Sequence, residues 1–559
     1  MSRETELLER WLENVQEPDL REELEAMRND EKATVEAFHS DLQFGTAGLR
    51  GIIGAGTNRM NVHTVGLATQ GFANYLNANY ENPSVAIGRD SRNLGDEFVR
   101  RTAAVFAANG VKAYVYPRIE PTPAVSFAAR DLKCSGAVNM TASHNPAEYN
   151  GYKAYGPDGC QIVTEAATAI SAAIAEIDIF DDVKVVDFDE ALADGRIEWI
   201  GEDTLDRFID AVEASSVARE SDKETQLKLV YTPLNGTGLE CVKRILDRVG
   251  ITDVSVVEEQ SMPDGDFPTC PYPNPETREA MQRAIDLAER VKPDLLLATD
   301  PDADRVGIGV KDGDDYLLLT GNEVGVLLLD YAARMTAERG ADLARKVAVT
   351  TIVSSVMVDA VAADLGFEVR RVLTGFKYIG ETIAELEAAG EEDRFLFGFE
   401  ESYGYLNGTY VRDKDAVDAT MLICQMAQHY KARGMNLADA MRELYDRYGY
   451  YQNKTLSFSY PGVEGGERMK ALMDGLRSNP PAEVAGLKVE QVVDYAPGVG
   501  KLPPANVIEF DLEGDNKLIV RPSGTEPKVK AYLFAQRPTG AEAAELLAQL
   551  ESAATAIMQ

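Results

Sequence analysis

Residues 136–153 read GAVNMTASHNPAEYNGYK, and they predict a strand followed by a polar loop. The apolar run Gly136–Met140 is typical of a buried strand, and the small polar residues after it are typical of turns. Ser143 is expected to be exposed at the end of that strand, with His144 beside it and Lys153 ten residues further on. A hydroxyl in such a place is a candidate nucleophile or phosphate carrier, and the neighbouring imidazole is a second candidate. The alternative is an ordinary serine and asparagine turn with a surface histidine.

The composition is that of a soluble globular protein with an acidic surface. The 559 residues are enough for three or four domains. A net charge of −36, from 92 acidic and 56 basic residues, disfavours binding to nucleic acid or to an anionic membrane.

The first 15 residues have the pattern of an amphipathic helix and lack the apolar region of a signal peptide. Five scattered cysteines without C-x-x-C spacing argue against zinc and disulfides and favour a cytoplasmic protein. We expect a monomer or a weak homodimer.

Strand and helix patterns alternate along most of the chain, which predicts α/β structure. The expected fold is three successive α/β domains with mixed sheets plus a C-terminal α+β domain, arranged around a central cleft. The first domain is expected to end within the acidic segment from Asp178 to about Asp206. The expected domains are 1–205, which contains the loop with Ser143, then 206–317, 318–449 and 450–559.

The predicted strand DLLLATD ends in three carboxylates at alternate positions, namely Asp300, Asp302 and Asp304. Carboxylates directly after a buried strand are costly unless a positive charge neutralises them, and a divalent hard cation with oxygen ligands, Mg²⁺, is the simplest candidate. An EF-hand is excluded because Arg305 and Lys311 occupy the positions of its glycine and its bidentate glutamate. The alternative is a solvated acidic turn.

Two further polar clusters follow predicted strands of the third expected domain, residues 318–449. Ligands bind at the carboxyl ends of strands in open parallel sheets, and carboxylates and hydroxyls suit the hydroxyl groups of a sugar. Lys414 is a candidate source of positive charge nearby. The alternative for each cluster is a solvated loop. The candidate residues are Thr374, Gly375, Lys377, Glu400 and Ser402.

Two glycine-containing loops are suited to binding phosphate. Residues 44–51, FGTAGLRG, present Arg50, whose guanidinium can make two parallel hydrogen bonds to a phosphate. Residues 521–528, RPSGTEPK, combine a guanidinium, hydroxyls and backbone N–H groups. The alternative for residues 44–51 is a glycine-rich turn with a surface arginine, and the alternative for residues 521–528 is a hairpin connection. The donors of the second loop are Arg521, Ser523, Gly524 and Thr525.

The motifs TASHNP, DPDADR, FEES and RPSGTEP occur in that order, and the whole chain resembles the α-D-phosphohexomutase superfamily. The variants FGTAGLRG, PDGDFPTCPYPNPE, TGFKYIG and FEESYGY are most similar to its phosphoglucomutase/phosphomannomutase branch. The resemblance implies an isomerase, an intramolecular phosphotransferase that interconverts glucose 1-phosphate and glucose 6-phosphate. It also implies Mg²⁺ as cofactor, glucose 1,6-bisphosphate as activator and intermediate, and small-molecule sugar phosphates as partners.

The resemblance implies a role for each motif. Ser143 would carry the phosphoryl group and, with the three aspartates, bind Mg²⁺. Lys153 would be the general base, His144 and Arg50 would complete the catalytic group, and Arg305 would help orient the aspartate loop. The remaining residues would bind substrate. Thr374, Gly375 and Lys377 would recognise the sugar in its two orientations, and Glu400 and Ser402 would bind its hydroxyls. Residues 521–525 would hold the non-reacting phosphate, and Lys414 would supply positive charge near the sugar-binding residues.

The substrate stays open at this point. A mutase for mannose phosphate or pentose phosphate, or a synthase of the bisphosphate, would carry similar motifs. A non-catalytic sugar-phosphate-binding protein is the alternative of another class, and the presence of the serine, the three aspartates and the donor loop disfavours it. Tyr403, Gly404 and Tyr405 stand where some family members carry a histidine, so the acid or base on that side is open too.

Overall fold

The computed structural model describes residues 2–45, 48–162, 164–460, 462–523 and 528–558. The chain divides into two units. The first comprises Met1–Leu318, Gly380–Glu392 and Gly404–His429, and the second comprises Leu319–Ile379, Asp393–Tyr403 and Tyr430–Gln559. Among the helices of the described ranges, none is long and apolar enough to cross a membrane.

The chain begins with three helices, α1 (Arg3–Asn14), α2 (Pro18–Met27) and α3 (Glu31–Phe38). The predicted N-terminal amphipathic helix is confirmed, because Leu8, Trp11 and Leu12 share one face of α1 and are buried. The Trp11 ring meets the Phe38 ring edge to face, with centroids 5.7 Å apart. This contact fixes α1 against α3.

The first sheet is mixed and carries the serine loop. Its strands are β1 (Gly48–Ile52), β2 (Ser84–Arg89), β3 (Lys112–Val115), β4 (Gly136–Met140), β5 (Tyr149–Tyr155) and β6 (Ile197–Trp199). Its helices are α4 (Val62–Asn79), α5 (Gly95–Ala108), α6 (Thr122–Asp131), α7 (Thr164–Ala175), α8 (Phe188–Ala193) and α9 (Glu202–Ala214). The strand order is β1-β5-β4-β2-β3-β6; β4, β2, β3 and β6 are parallel, and β5 is antiparallel to both of its neighbours, β4 and β1. Every residue of β4 is buried, as its sequence predicts.

The acidic segment expected to close the first domain contains ordered elements. Phe188 in α8 and Ile197 in β6 are buried, and β6 pairs parallel with β3 through Ile197 and Ala113. The sequence does not reveal β6 because it has three residues, of which only the first is buried.

The second sheet carries the aspartate loop. Its strands are β7 (Lys228–Thr232), β8 (Asp253–Val256), β9 (Leu295–Thr299), β10 (Val306–Asp312) and β11 (Asp315–Leu319), and its helices are α10 (Gly238–Arg248) and α11 (Arg278–Val291). The order is β11-β10-β9-β7-β8, with β10 antiparallel to β9 and with β9, β7 and β8 parallel. Thr299 pairs with Val306, so residues 300–305 form the tight connection between β9 and β10.

The third group of elements places the predicted sugar-binding residues. Its helices and strands are α12 (Gly321–Glu338), β12 (Val347–Thr351), α13 (Met357–Leu365), β13 (Glu368–Val372), α14 (Phe376–Ala388), β14 (Phe395–Glu400), β15 (Gly404–Leu406), α15 (Ala416–Ala432) and α16 (Leu437–Tyr448). Strand β12 pairs in parallel with both β13 and β14. The loops that follow these three strands therefore start at one edge of the sheet.

The C-terminal elements form an antiparallel sheet covered by helices. They are β16 (Tyr450–Ser459), α17 (Gly462–Ser478), β17 (Glu483–Val484), β18 (Leu487–Asp494), β19 (Ile508–Leu512), β20 (Asn516–Pro522), β21 (Lys528–Arg537) and α18 (Gly540–Met558). The order is β16-β21-β20-β19-β18-β17, and each neighbouring pair is antiparallel. Leu546 and Leu550 of α18 pack in one core with Leu518 and Leu533 of the sheet. The predicted succession of α/β segments and a C-terminal α+β segment is confirmed.

Candidate active site

Ser143 lies three residues after the end of β4 in a conformation that L-amino acids rarely adopt. Its φ of 54° is in the left-handed region, which costs about 1–2 kcal/mol for a residue with a Cβ. Its backbone N–H donates to Oγ1 of Thr141 at 2.8 Å, so the preceding threonine stabilises the turn. A strained residue that the surrounding structure holds in place is typical of functional sites.

The Ser143 hydroxyl contacts two groups that can exchange a proton with it. Oγ donates to Oδ2 of Asp300 at 3.0 Å and lies 3.2 Å from Nδ1 of His144. The expectation that Ser143 is exposed is wrong, since its relative exposure is 3%. The hydroxyl is buried because the loop between β9 and β10 brings Asp300 against it.

The three aspartates form the one cluster of potential metal ligands found among the described residues, with one ligand atom from each lying within 4.8 Å of the others. All three are buried, and Ala303 between them has a φ of 49°, so the loop turns sharply. Oδ1 of Asp300 accepts the backbone N–H groups of Asp304 and Arg305, both at 3.0 Å. The loop thereby holds Asp300 with its other oxygen toward Ser143.

Asp302 and Asp304 each present one oxygen to lysines, and the other oxygen of each has no hydrogen bond among the described residues, with Oδ1 of Asp304 lying 3.7 Å from Nε of Arg305. Lys153 Nζ lies 2.7 Å from Oδ2 of Asp302 and 2.9 Å from Oδ2 of Asp304, and Lys414 Nζ lies 3.2 Å from the latter. Thr122 Oγ1 also donates to Oδ2 of Asp302, at 2.6 Å. Oδ1 of both aspartates is buried and has no hydrogen-bond partner in the part of the chain that the structure describes. Carboxylate oxygens in that state fit a cation.

The pKa values of the cluster follow from burial and from these pairs. Burial and the two neighbouring carboxylates raise the pKa of Asp300 well above its usual value. Burial also acts to raise the pKa of Asp304, but Lys153 and Lys414 outweigh it and hold that pKa below its usual value. Burial acts to lower the pKa of Lys153, but Asp302 and Asp304 hold it above its usual value. These directions favour the charged forms of Asp304 and Lys153 and the neutral carboxyl of Asp300.

The other predicted catalytic residues surround the serine loop within the first unit. Burial, followed by the charges of Arg305 and Arg50, lowers the pKa of His144 well below its usual value, which favours the neutral imidazole. Arg305 Nη1 lies 3.2 Å from Oε1 of Glu276, in the motif PDGDFPTCPYPNPE. Arg50 is an exposed residue of β1, where its backbone pairs with Gly151 of β5.

The predicted sugar-binding residues of the second unit lie at one edge of its parallel sheet. Glu400 ends β14, and Ser402 Oγ donates to its Oε1 at 3.2 Å. Between them, Oε2 of Glu401 accepts from Oγ1 of Thr351, the last residue of β12, at 3.1 Å. Burial and the neighbouring Glu400 raise the pKa of Glu401 to about 7. This edge therefore presents carboxylates and hydroxyls, as the sequence predicts.

The loop from β13 to α14 starts at the same edge. Oγ1 of Thr374 is buried without a hydrogen-bond partner in the described part of the chain. Gly375 has a φ of 122°, which only glycine adopts without strain. Lys377 is 8% exposed, in the first turn of α14.

The predicted phosphate-binding loop connects β20 to β21. Arg521 is half-buried on β20, and the backbone N–H of Ser523 donates to O of Lys528 at 2.8 Å, so the loop closes a hairpin. Gly524 and Thr525 lie outside the described residues.

Two residues with direct contacts to these loops were not identified from the sequence. Thr122, the first residue of α6, bonds to Asp302, and buried Arg92 contacts the serine loop. Neither stands in one of the polar motifs that follow predicted strands. The segment Val85–Arg92 reads as a strand ending in charged residues, and that is the one signal that could have drawn attention to Arg92.

Comparison with known proteins identifies the family. The models named "Phosphoglucomutase/phosphomannomutase" match alpha/beta/alpha domain I at residues 41–179, domain II at 206–313, domain III at 320–448 and the C-terminal domain at 472–553. A phosphoglucomutase of Staphylococcus aureus is 35% identical over 517 residues, which are 90% of this chain and 91% of that protein. This chain belongs to the phosphoglucomutase/phosphomannomutase family. It is an enzyme of the intramolecular phosphotransferase type.

Two solved structures share the fold of this family member. A phosphoglucomutase of Paramecium, pp63/parafusin in an open form, matches with a TM-score of 0.70 at 18% identity, over 93% of this chain and 95% of that one. The N-acetylphosphoglucosamine mutase of Aspergillus fumigatus, solved with GlcNAc-6P and magnesium, matches with a TM-score of 0.53 at 15% identity, over 97% of this chain and all of that one. The predicted superfamily and fold class are confirmed.

Proposed function

We propose that this protein is a phosphoglucomutase that interconverts glucose 1-phosphate and glucose 6-phosphate through a phosphoserine at Ser143 and glucose 1,6-bisphosphate. The observation that carries the proposal is the 3.0 Å hydrogen bond from Ser143 Oγ to Asp300. It joins a serine in a strained turn to a triad of potential metal ligands. The relatives at 34–35% identity that bear the name phosphoglucomutase support glucose phosphate as the substrate.

We propose Mg²⁺ as the metal. The donor set consists of carboxylate oxygens, which hard cations prefer, and the buried Oδ1 atoms of Asp302 and Asp304 lack hydrogen-bond partners among the described residues. These two residues, Asp300 and an oxygen of phosphorylated Ser143 would hold the ion. A divalent ion so held offsets negative charge on the transferring phosphoryl group.

In the first half of the reaction, Ser143 gives up its phosphoryl group. The bond between Oγ and phosphorus breaks, and phosphorus bonds to the O6 hydroxyl oxygen of glucose 1-phosphate, which yields glucose 1,6-bisphosphate. Lys153, whose pKa is held above its usual value, is proposed to give its proton to the departing Oγ and to accept the proton of that hydroxyl, so it is charged before and after the step. Positioning and charge stabilisation supply most of the rate enhancement in such transfers.

In the second half, the bisphosphate presents its other phosphate and Ser143 recovers a phosphoryl group. Phosphorus bonds to Oγ, the bond to the sugar O1 breaks, and O1 takes up a proton, which leaves glucose 6-phosphate. Nδ1 of His144, 3.2 Å from Oγ, is placed to accept the serine proton.

The remaining predicted residues would bind the sugar phosphate in its two orientations. Glu400 and Ser402 would bind sugar hydroxyls, and Thr374, Gly375 and Lys377 would recognise both orientations. Arg521, Ser523, Gly524 and Thr525 would hold the non-reacting phosphate, with Arg50, Arg305 and Lys414 supplying further positive charge. The proposed domains are 1–205, 206–317, 318–449 and 450–559.

The test is phosphate mapping on the purified enzyme. After incubation with glucose 1,6-bisphosphate, intact mass should show one added phosphoryl group, and peptide mapping should place it on Ser143. The variant Ser143→Ala should lose mutase activity and still bind glucose 6-phosphate. Ser171→Ala is a matched control, since Ser171 Oγ donates to the backbone O of Phe44 at 3.0 Å and has no bond to the serine loop or the aspartates among the described residues.

Two outcomes would contradict the proposal. Phosphate found on His144 alone, or an active enzyme that never carries phosphate, would remove the phosphoserine mechanism. A kcat/KM for mannose 1-phosphate or a pentose 1-phosphate clearly above that for glucose 1-phosphate would show that the proposed substrate is wrong.

A further inference from the structure

One buried guanidinium binds four backbone carbonyls of the serine loop. Nη1 of Arg92 donates to O of Pro146 at 2.8 Å and to O of Tyr149 at 2.9 Å. Nη2 donates to O of Ser143 at 2.6 Å and also to O of Asn145. A guanidinium has four terminal N–H groups in a fixed planar fork, so each of them is matched by one carbonyl of the same loop.

The surroundings of Arg92 fix the orientation of this fork. Its Nε lies 3.3 Å from Oδ2 of Asp90, and Oδ1 of Asp90 accepts the Arg92 backbone N–H at 2.9 Å. On another side, the Arg92 Cζ lies 5.1 Å from the centroid of the buried Phe267 ring. Phe267 belongs to PDGDFPTCPYPNPE, and a Cβ on Gly265 of that motif would lie 2.6 Å from the backbone nitrogen of Asn93. The motif thus packs tightly against the turn that carries Arg92.

The serine loop needs such support because Ser143 is held in the left-handed region, at a φ of 54°. Its N–H bonds to Thr141 and its carbonyl bonds to Arg92, so both of its peptide groups are fixed. We propose that Arg92, oriented by Asp90 and covered by Phe267, is a positioning residue that fixes the Ser143 loop in the geometry for phosphoryl transfer. This inference rests on the proposed function, since it assumes that Ser143 carries the phosphoryl group.

The substitution Arg92→Lys tests the proposal because it keeps the positive charge beside Asp90 and removes the planar fork. One ammonium cannot reach four carbonyls spread over residues 143–149. Both the rate of phosphate incorporation at Ser143 from glucose 1,6-bisphosphate and kcat should fall by about 100-fold, with KM for glucose 1-phosphate nearly unchanged. Amide hydrogen exchange should rise in residues 141–149 and stay unchanged in β9 and β10.

A variant with a purely structural defect serves as the control. Arg21 also donates to backbone carbonyls, those of Leu12 at 2.9 Å and Val15 at 3.1 Å, and it lies among the N-terminal helices. Arg21→Gln should lower Tm and leave the rate of Ser143 phosphorylation unchanged. If Arg92→Lys phosphorylates at the wild-type rate, or if Arg21→Gln loses the same activity as Arg92→Lys, the positioning role is overturned. Failure of the wild type to take up phosphate would instead remove the proposed function.

A second variant applies if Arg92→Lys does not fold. Asp90→Asn keeps the shape of the side chain and removes the charge beside Nε of Arg92. The rate of Ser143 phosphorylation should fall by about tenfold, with exchange in residues 141–149 raised again. An Asp90→Asn enzyme with wild-type phosphorylation and wild-type exchange would overturn the inference.

Discussion

Replacing Thr122 by valine should weaken metal binding at the aspartate triad without unfolding the protein. Thr122 Oγ1 donates to Oδ2 of Asp302 at 2.6 Å and accepts from Nδ2 of Asn139 at 2.7 Å, and all three groups are buried. Valine has the same shape and cannot make either bond. A hydrogen bond to a charged group contributes about 1.5–3 kcal/mol. Each 1.4 kcal/mol corresponds to a factor of ten in a dissociation constant. The energy of this hydrogen bond therefore agrees with the roughly 10–100-fold loss of metal affinity that follows removal of a residue that orients a metal ligand.

The effect is expected on the metal because the bond fixes which oxygen of Asp302 is held by protein groups. Thr122 and Lys153 both bind Oδ2, which leaves Oδ1 without a hydrogen-bond partner in the described part of the chain. In Thr122→Val the carboxylate can rotate, so the concentration of Mg²⁺ for half-maximal activity should rise by roughly 10–100-fold. The kcat at saturating Mg²⁺ should stay close to that of the wild type, because no group that touches the substrate changes.

The assay is activity as a function of Mg²⁺ concentration, together with calorimetric titration of Mg²⁺ into the protein. Thr69→Val is the matched control, since buried Thr69 Oγ1 donates to O of Val65 at 2.7 Å within α4. An unchanged Mg²⁺ dependence in Thr122→Val, or the same shift in Thr69→Val, would refute the reasoning.

Three more predictions follow from other parts of the structure. Asp302→Asn should reduce activity by several orders of magnitude because it removes a metal ligand, and it should also lower Tm because it removes a buried charge that faces Lys153; full activity, or full wild-type activity after chelation, would refute this. Arg521→Ala should mainly raise KM, with a smaller loss of kcat, and wild-type values of both would show that the hairpin is only a connection. The hydrogen bond from His63 lowers the pKa of Glu17 from 4.5 to about 2, so its stabilising contribution is complete above pH 4.5 and is lost as the pH falls toward 2. The Tm difference between wild type and Glu17→Gln should shrink over that range, and a constant difference would contradict it.

The sequence predicts the elements whose burial pattern repeats over several residues. Gly136–Met140 and Leu295–Thr299 read as buried strands and are buried throughout. Ser143, three residues after the first strand, and Asp300, directly after the second, meet at hydrogen-bond distance. Strand β6, which has one buried residue of three, carries no such pattern.

The sequence does not predict the partners that the fold brings together from distant positions. Three carboxylates at alternate positions after a strand indicate a cation, yet they do not indicate that Lys153 and Lys414 also neutralise them. The first lysine lies 149 residues from Asp302 along the chain. Burial of Ser143 was missed for the same reason, because a loop of the second sheet covers it.

The contacts of Arg92 explain how one loop can serve both halves of the proposed reaction. Ser143 must give up a phosphoryl group and later recover one, so Oγ must have the same position in both steps. A residue at a φ of 54° would relax by about 1–2 kcal/mol if its loop were free, and that relaxation would move Oγ away from Asp300. Backbone carbonyls do not change when the serine is phosphorylated. A guanidinium bound to four of them therefore fixes the loop equally in both states, which bonds to the serine side chain itself could not do.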